Sequence, residues 1–585
     1  MENKFFSLII GFVIAFNFFL TVCAQVTPHP NVILVITDDQ GYGDLGVNGN
    51  PHVKTPFTDA FARQSIRFNN FYVSPVCAPT RSSLMTGRYS LRTGVRDTYN
   101  GGAIMATEEV TIAEVLKKAG YRTGAFGKWH LGDNYPSRPM DQGFDESVIH
   151  LGGGMGQVGD ITTYFRYDSS YFDPVLWHNG QQKGYDGYCS DIFTTEAINF
   201  IENNREKPFF CYLAFNAPHT PLQVPDRYYQ MYRDIDPSSG FKDSDPPIRS
   251  MSEGDKEAAR KVYAMVTNID DNIGRLLKKL EDLRISSNTI VIFMTDNGPQ
   301  QNRYVAGMRG QKGSVYNGGV RVPFYCRYPS YENKDIETTA AHIDILPTLA
   351  EICNAPLPEG RTIDGESLLP LIREERLDWA ERALFLYWNR RYPELYNNMA
   401  LLKGRYKLVG HTDYNAAIEN FELYDISEDP YERVNIVKEK KALAEELKSE
   451  MDRKYRELIR SENILDPPRI AVGSKHESPV ILSRNDADGE RGIWSQEEIF
   501  GKWRVSIREG NYNVRFKFIK PVEAGGQMYL ETGPVIHQAK NVMKNTDIIE
   551  MKNVSLPQMR GDLIPFYSVD SRRIFPFYVE MERIE

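Results

Sequence analysis

Between Asn31 and Thr37 the chain reads Asn-Val-Ile-Leu-Val-Ile-Thr, five apolar residues with no polar side chain among them. A strand with one wet face alternates apolar and polar residues. An unbroken run is buried on both faces, so it needs neighbouring strands and a packed layer above and below. The pattern recurs. Thr111-Ile112-Ala113-Glu114 reads as a capping box opening a helix with Ile112, Val115, Leu116 and Ala119 on one stripe, and Gly120 stops it. A strand follows from Tyr121 to Phe126. A stripe of Phe193, Ala197, Phe200 and Ile201 precedes a strand at Phe209–Phe215, and a longer stripe from Val262 to Leu280 precedes one at Thr289–Met294. Strands alternating with helices predict an α/β domain built on a large, mostly parallel sheet flanked by helices.

At 585 residues the chain is too long for one core. Past about residue 340 the alternation gives way to a smaller α+β subdomain, with Leu443, Leu447, Met451, Tyr455 and Leu458 on one helical stripe. Asp466-Pro467-Pro468 marks its end. Trp503, Val505 and Ile507 then alternate with polar residues, Glu509-Gly510 turns the chain, and Tyr512, Val514, Phe516 and Phe518 alternate again. This predicts a hairpin with one buried face, inside a C-terminal β-sandwich-like module. The expected organisation is a leader over 1–24, a catalytic α/β domain over 25–340, a subdomain over 341–465 and a β-rich module over 466–585.

The first and last of these strands end in acidic pairs, Asp38-Asp39 and Asp296-Asn297. The carboxyl ends of parallel strands are where α/β sheets place ligands. Either pair alone reads as turn chemistry. Together, Asp38, Asp39, Asp296 and Asn297 form an all-oxygen set suited to a hard cation, Ca²⁺ in preference to Mg²⁺ and not zinc. Three segments put cations after strands or in Gly-rich loops: Gly127-Lys128-Trp129-His130, Ala217-Pro218-His219-Thr220-Pro221 and Gly310-Gln311-Lys312-Gly313. Earlier in the chain stands Cys77-Ala78-Pro79-Thr80-Arg81, continued by Ser82-Ser83-Leu84-Met85-Thr86-Gly87-Arg88.

That twelve-residue stretch resembles, at every fixed position, the signature of type I sulfatases, the formylglycine-dependent members of the alkaline phosphatase superfamily. The resemblance runs from Asn31 to about Asn435 and is similar to bacterial polysaccharide sulfatases. It implies that a formylglycine-generating maturation enzyme oxidises Cys77 to an aldehyde. It implies that Asp38, Asp39, Asp296 and Asn297, with residue 77, hold one Ca²⁺. It implies that Arg81, Lys128, His219 and Lys312 bind the sulfuryl group and offset its charge. A hydroxyl of the hydrated aldehyde then attacks sulfur, His219 with Lys312 protonates the leaving alcohol, and His130 takes the second hydroxyl's proton so that sulfate is expelled. A thiol lacks that second hydroxyl. The expected reaction is hydrolysis of carbohydrate sulfate monoesters, on oligosaccharides from a sulfated polysaccharide. A phosphoesterase on this scaffold would carry Ser or Thr at position 77 and more His ligands. A non-catalytic protein binding sulfated glycans would show a decayed site, and here every expected position is filled. Leu151-Gly152-Gly153-Gly154 is a candidate region for a further sulfate contact. Tyr164, Phe165, Tyr167 and Tyr171 either line a sugar subsite or pack.

A net charge of −9 argues against nucleic acid as a partner. It does not argue against an anionic sugar, because a few cations reverse the field inside a cleft. Lys4, the apolar run Phe5–Val22 and Val22-Cys23-Ala24 read as a cleaved leader, so the protein is expected to be exported, periplasmic or secreted. The bulk of Val22 disfavours lipoprotein anchoring at Cys23, and no later segment is apolar enough to form a stable transmembrane span. The single sequon, Asn553-Val554-Ser555, favours a bacterial enzyme over a lysosomal one. Export permits disulfides among Cys189, Cys211, Cys326 and Cys353, whose pairing stays open. The last module is read as a buttress rather than a glycan-binding domain, since fold alone does not give function.

Overall fold

The computed structural model describes residues 29–242, 246, 248–375 and 382–584. The expected leader, Cys23 included, and part of the acidic stretch from Asp234 to Pro247 lie outside them. Among the described residues no helix is long and apolar enough to cross a membrane.

Strands β1 (Asn31–Thr37), β2 (Arg122–Lys128), β3 (Glu146–His150), β4 (Phe209–Ala214) and β5 (Thr289–Thr295) form the centre of a ten-stranded sheet. They run in the order β5-β1-β4-β2-β3, all parallel. Antiparallel pairings flank this centre on both sides. In β1, Val32, Leu34 and Ile36 enter one core and Ile33 and Val35 the opposite one. The first core takes Ala78, Leu84 and Met85 from helix α1 (Cys77–Thr86) and Ile112, Val115 and Leu116 from α2 (Ile112–Lys118). The second takes Phe193, Ala197 and Ile201 from α3 (Cys189–Asn204) and Met265, Ile269 and Ile273 from α4 (Glu253–Asp282). Each buried Val, Leu, Ile, Met or Phe among them stabilises the fold by about 1.5–3 kcal/mol. This is the two-sided burial that the apolar run requires. The capping box opens α2 as expected: the Thr111 hydroxyl accepts from the Glu114 N–H, and the Glu114 carboxylate accepts from the Thr111 N–H.

Ile345, Leu349, Leu369 and Ile372 still pack into the first core. A four-stranded antiparallel sheet follows, from Ala383 to Asp425, and α5 (Lys441–Leu458) buries Leu447, Met451 and Leu458 against it. Residues 470–583 form two further sheets around one core. The expected hairpin is not formed. Gly501–Ile507 pairs with Met559–Val569 in one sheet, whereas Gly510–Val522 pairs with Thr546–Leu556 and Tyr578–Arg583 in the other. Trp503, Val505, Tyr512, Val514 and Phe516 nevertheless meet in the same core. Alternation dictates which side chains are buried, not which strand receives the hydrogen bonds. Two consecutive half-buried strands satisfy one pattern either as a hairpin or arched across a sandwich. The five described cysteines are buried and free.

Candidate active site

Cys77 is the first residue of α1, after an extended Val76. Pro79 lies in the first turn, where its missing N–H costs nothing. Arg81 follows Cys77 by four residues and so shares its face. Gly87, at φ 68°, closes the helix by donating to the Ser83 carbonyl. The twelve-residue signature is therefore a complete helix: a start, a Cys/Arg pair one turn apart, and a stop. All ten helical residues are buried, and the positive end of the helix dipole lies at position 77.

Pairing of β1 with β5 matches Thr37 to Thr295, which brings Asp38 beside Asp296. Arg81 donates to Asp296 Oδ2 from Nη2 (2.8 Å) and Nε (3.2 Å). Lys128 Nζ donates to Asp38 Oδ2 at 2.6 Å, and Lys312 Nζ lies 2.7 Å from Asp39 Oδ1. Asn297 Nδ2 donates to Asp39 Oδ1 at 2.8 Å. Burial, then the charge of Asp38, pushes the Asp296 carboxyl up to about 7. Burial alone would raise Asp39 too, but Lys312 and His219 outweigh it and hold that carboxyl well below the usual range. Asp39 and His130 both sit at φ 61°, a left-handed backbone that non-glycine residues keep only where the surroundings enforce it.

Two of these buried oxygens, Asp38 Oδ1 and Asn297 Oδ1, accept no hydrogen bond among the described residues. A buried acceptor without a donor costs about 1–3 kcal/mol, more when charged. Ligand atoms of Asp38, Cys77 and Asp296 lie within 4.8 Å of one another, as do those of Asp38, Asp39 and His219. Unmet oxygens and clustered carboxylates fit a hard, oxygen-ligated cation.

His130 Nε2–H donates to the Thr98 carbonyl at 2.7 Å, which leaves the Nδ1 lone pair facing Cys77 Sγ at 3.5 Å. Burial and the charge of Lys128 hold His130 well below its ordinary range, so it is a neutral acceptor. Burial likewise raises the Cys77 thiol. His219 Nδ1–H donates to the Thr220 carbonyl at 2.7 Å, and its Nε2 lies 3.6 Å from Asp39 Oδ2. Burial and Lys312 push His219 down to about 3, so it too is neutral. Burial would lower Lys312, but Asp39 outweighs it and raises the ammonium, which keeps its proton. Ten predicted site residues thus converge on one end of the sheet.

The glycine-rich stretch lies against both histidines. A Cβ on Gly153 would sit 3.1 Å from His130 Cε1, and one on Gly154 would sit 3.1 Å from His219 Nδ1. The aromatic residues beyond it form no common subsite. Tyr171 is buried and donates to the His219 carbonyl at 2.7 Å. Tyr164 and Phe165 pack on Phe577 of the C-terminal module, and Tyr167 is exposed. Sequence reasoning missed His150, which is paired with Lys128 in register and is buried, its Nε2 without a hydrogen-bond partner among the described residues. Burial and Lys128 push it down to about 3. Its one signal is the short apolar run Val148-Ile149 ahead of the glycines.

Comparison with known proteins agrees with this geometry. The family model described as Sulfatase matches residues 30–355, and that described as N-sulphoglucosamine sulphohydrolase, C-terminal, matches residues 310–460. Human N-acetylgalactosamine-6-sulfatase is 30% identical over 387 residues, covering 61% of this chain and 68% of that protein. An ulvan-active sulfatase of Formosa agariphila is 30% identical over 455 residues, covering 75% and 83%. The crystal structure of Ps i-CgsB in complex with k-i-k-neocarrahexaose superposes with a TM-score of 0.63 at 29% identity, over 74% of this chain and 94% of that one.

Proposed function

The chain belongs to the sulfatase family and is a sulfuric ester hydrolase, and from that premise we propose that it removes sulfate from oligosaccharides of a sulfated polysaccharide. In this reading the protein is exported through residues 1–24, a host maturation enzyme converts Cys77 to formylglycine, and one Ca²⁺ serves the site. A carbohydrate substrate is supported by one relative named ulvan-active and by one solved neighbour in complex with k-i-k-neocarrahexaose. The observation that carries the chemistry is the neutral His130 Nδ1 aimed at residue 77, among three cations and beside two oxygens that lack donors.

Asp38, Asp39, Asp296 and Asn297 would hold the cation, which would draw charge from the sulfuryl oxygens. Formylglycine, hydrated, would supply the attacking hydroxyl and a second one to be deprotonated later. The chain's own groups do the rest. Arg81 orients residue 77 from one helical turn away. Lys128 and Lys312 bring ammonium charge to an ester whose oxygens gain charge as the S–O bond breaks. His219 and Lys312, both at Asp39, hold the proton for the leaving oxygen, and Lys312 carries it at rest. His130 accepts a proton at Nδ1 from the residue 77 hydroxyl, while the Thr98 carbonyl fixes its tautomer.

Sulfate release from a panel of sulfated oligosaccharides, followed by ion chromatography, tests this reading. Wild type is expected to release sulfate and Cys77→Ala to release none. Turnover of aryl sulfates with no release from any sugar would contradict the carbohydrate assignment.

A further inference from the structure

We propose that Arg390 reads a second oxyanion on the substrate, beyond the sulfate that is cleaved. This rests on the reading of the substrate as a sulfated carbohydrate.

Arg390 stands at the rim of the site. Its Nη1 donates to Asp97 Oδ1 (2.7 Å) and Thr98 Oγ1 (3.1 Å), and Thr98 is the residue whose carbonyl orients His130. The guanidinium carbon lies 4.6 Å from the Tyr99 ring and 4.8 Å from the Trp388 ring. Trp494, from the C-terminal module, packs on Tyr99 with ring centroids 4.9 Å apart and planes tilted by 30°. At the other end, a Cβ on Gly313 would come within 3.0 Å of Trp388, so the ledge abuts the residue after Lys312. One ledge therefore touches the neighbours of both His130 and Lys312.

The charge balance leaves Arg390 able to bind. Its side chain is 38% exposed, while that of Asp97 is 1% exposed. Asp97 also accepts from the Thr98 N–H (2.8 Å), the Arg391 N–H (2.8 Å) and Trp388 Nε1 (3.3 Å), so its charge is shared among four donors. Among the described residues Arg390 donates only through Nη1. The guanidinium is held against two aromatic rings, and its Nε/Nη2 edge, which carries two parallel N–H groups, makes no hydrogen bond among the described residues. That fork matches the paired oxygens of a carboxylate or sulfate, and holding it rigid beforehand reduces the entropy lost on binding. Beside it, Asn389 Nδ2 is a buried donor with no acceptor among the described residues. The oxyanion is a uronate carboxylate or a second sulfate, on the sugar that is cleaved or its neighbour.

The test is calorimetric binding to the full chain carrying Cys77→Ala, which cannot turn ligand over. Two matched pairs serve as probes: a sulfated disaccharide with a uronate against its carboxyl-reduced form, and a disulfated disaccharide against its monosulfated form. One pair is expected to show a preference of roughly ten-fold or more for the member with the second oxyanion, the size of one charged hydrogen-bonded contact. That preference falls to within about two-fold in both Arg390→Ala and Arg390→Lys, since lysine keeps the charge and lacks the fork. The responding pair tells carboxylate from sulfate. The assignment is overturned if neither second oxyanion tightens binding or if the preference survives both substitutions. It is equally overturned if both variants lose all binding, single-anion forms included, which would leave Arg390 only a structural role. The broader reading is judged separately, by whether unsubstituted protein releases sulfate from the single-anion sugars and from an aryl sulfate.

Discussion

In the proposed reading Lys128 and Lys312 serve catalysis and stability with the same side chains. Each ammonium is bound to a buried carboxylate. Lys128→Ala removes a cation from the reacting sulfuryl group, and kcat is expected to fall by about 10²–10³-fold. In chelated protein it also leaves Asp38 buried without a partner, so the folded state should there lose about 3–5 kcal/mol; kinetics and chemical denaturation read the two effects. The unmet oxygens of Asp38 and Asn297 make a second prediction. A cation that binds only the folded state stabilises it by mass action. The melting temperature of chelated wild type should rise on adding Ca²⁺, and that of Asp38→Ala should not. An equal response in both proteins would place the cation elsewhere. The ten residues that converge at the sheet end were readable in the sequence as strand-end acids and loop cations, beside a twelve-residue signature that resembles a known family's. Thr98 was not legible, since it acts through its carbonyl, which any residue supplies.

Within single elements, the signature from Cys77 to Arg88 was readable as a motif but not as a helix. Its apolar residues show no stripe, because α1 is buried on every side. The hairpin failed at the same level, since its pattern records burial and leaves strand pairing open. The stretch from Leu151 to Ser170 carries a buried acid whose titration is testable. Burial pushes Asp160 up to about 6 from 3.8, although Thr162 and Thr163 donate to it. The folded state therefore holds this proton where the unfolded chain has released it. Stability from this group is full below pH 3.8, declines as pH rises towards 6 and stays lowered above. At 1.36 kcal/mol per unit the loss is up to about 3 kcal/mol. In denaturation series between pH 4 and 7, Asp160→Asn should show a shallower decline than wild type. Parallel curves would mean that Asp160 ionises at its ordinary value.

Across the whole molecule, a line of contacts joins the C-terminal module to the histidines. Trp503 Nε1 donates to the Ser483 carbonyl, Ser483 Oγ donates to Asp133 Oδ2, and Asp133 Oδ1 accepts from the Gly152 N–H. Gly153 and Gly154 then meet His130 and His219. This supports reading the module as a buttress. Trp503→Ala, in a fully buried site stacked on Phe575, should cost about 3–5 kcal/mol and lower kcat as well; a destabilised protein with unchanged kcat would uncouple module from site. Nothing in the sequence announced these contacts, because they join segments some 350 residues apart through ordinary polar side chains. In the proposed reading the nucleophile is made from Cys77. The most direct test is the mass of the peptide Phe68–Arg81 from protein that releases sulfate. An aldehyde at residue 77 is expected, and an unmodified thiol in protein turning over at its full rate would rule out formylglycine as the nucleophile.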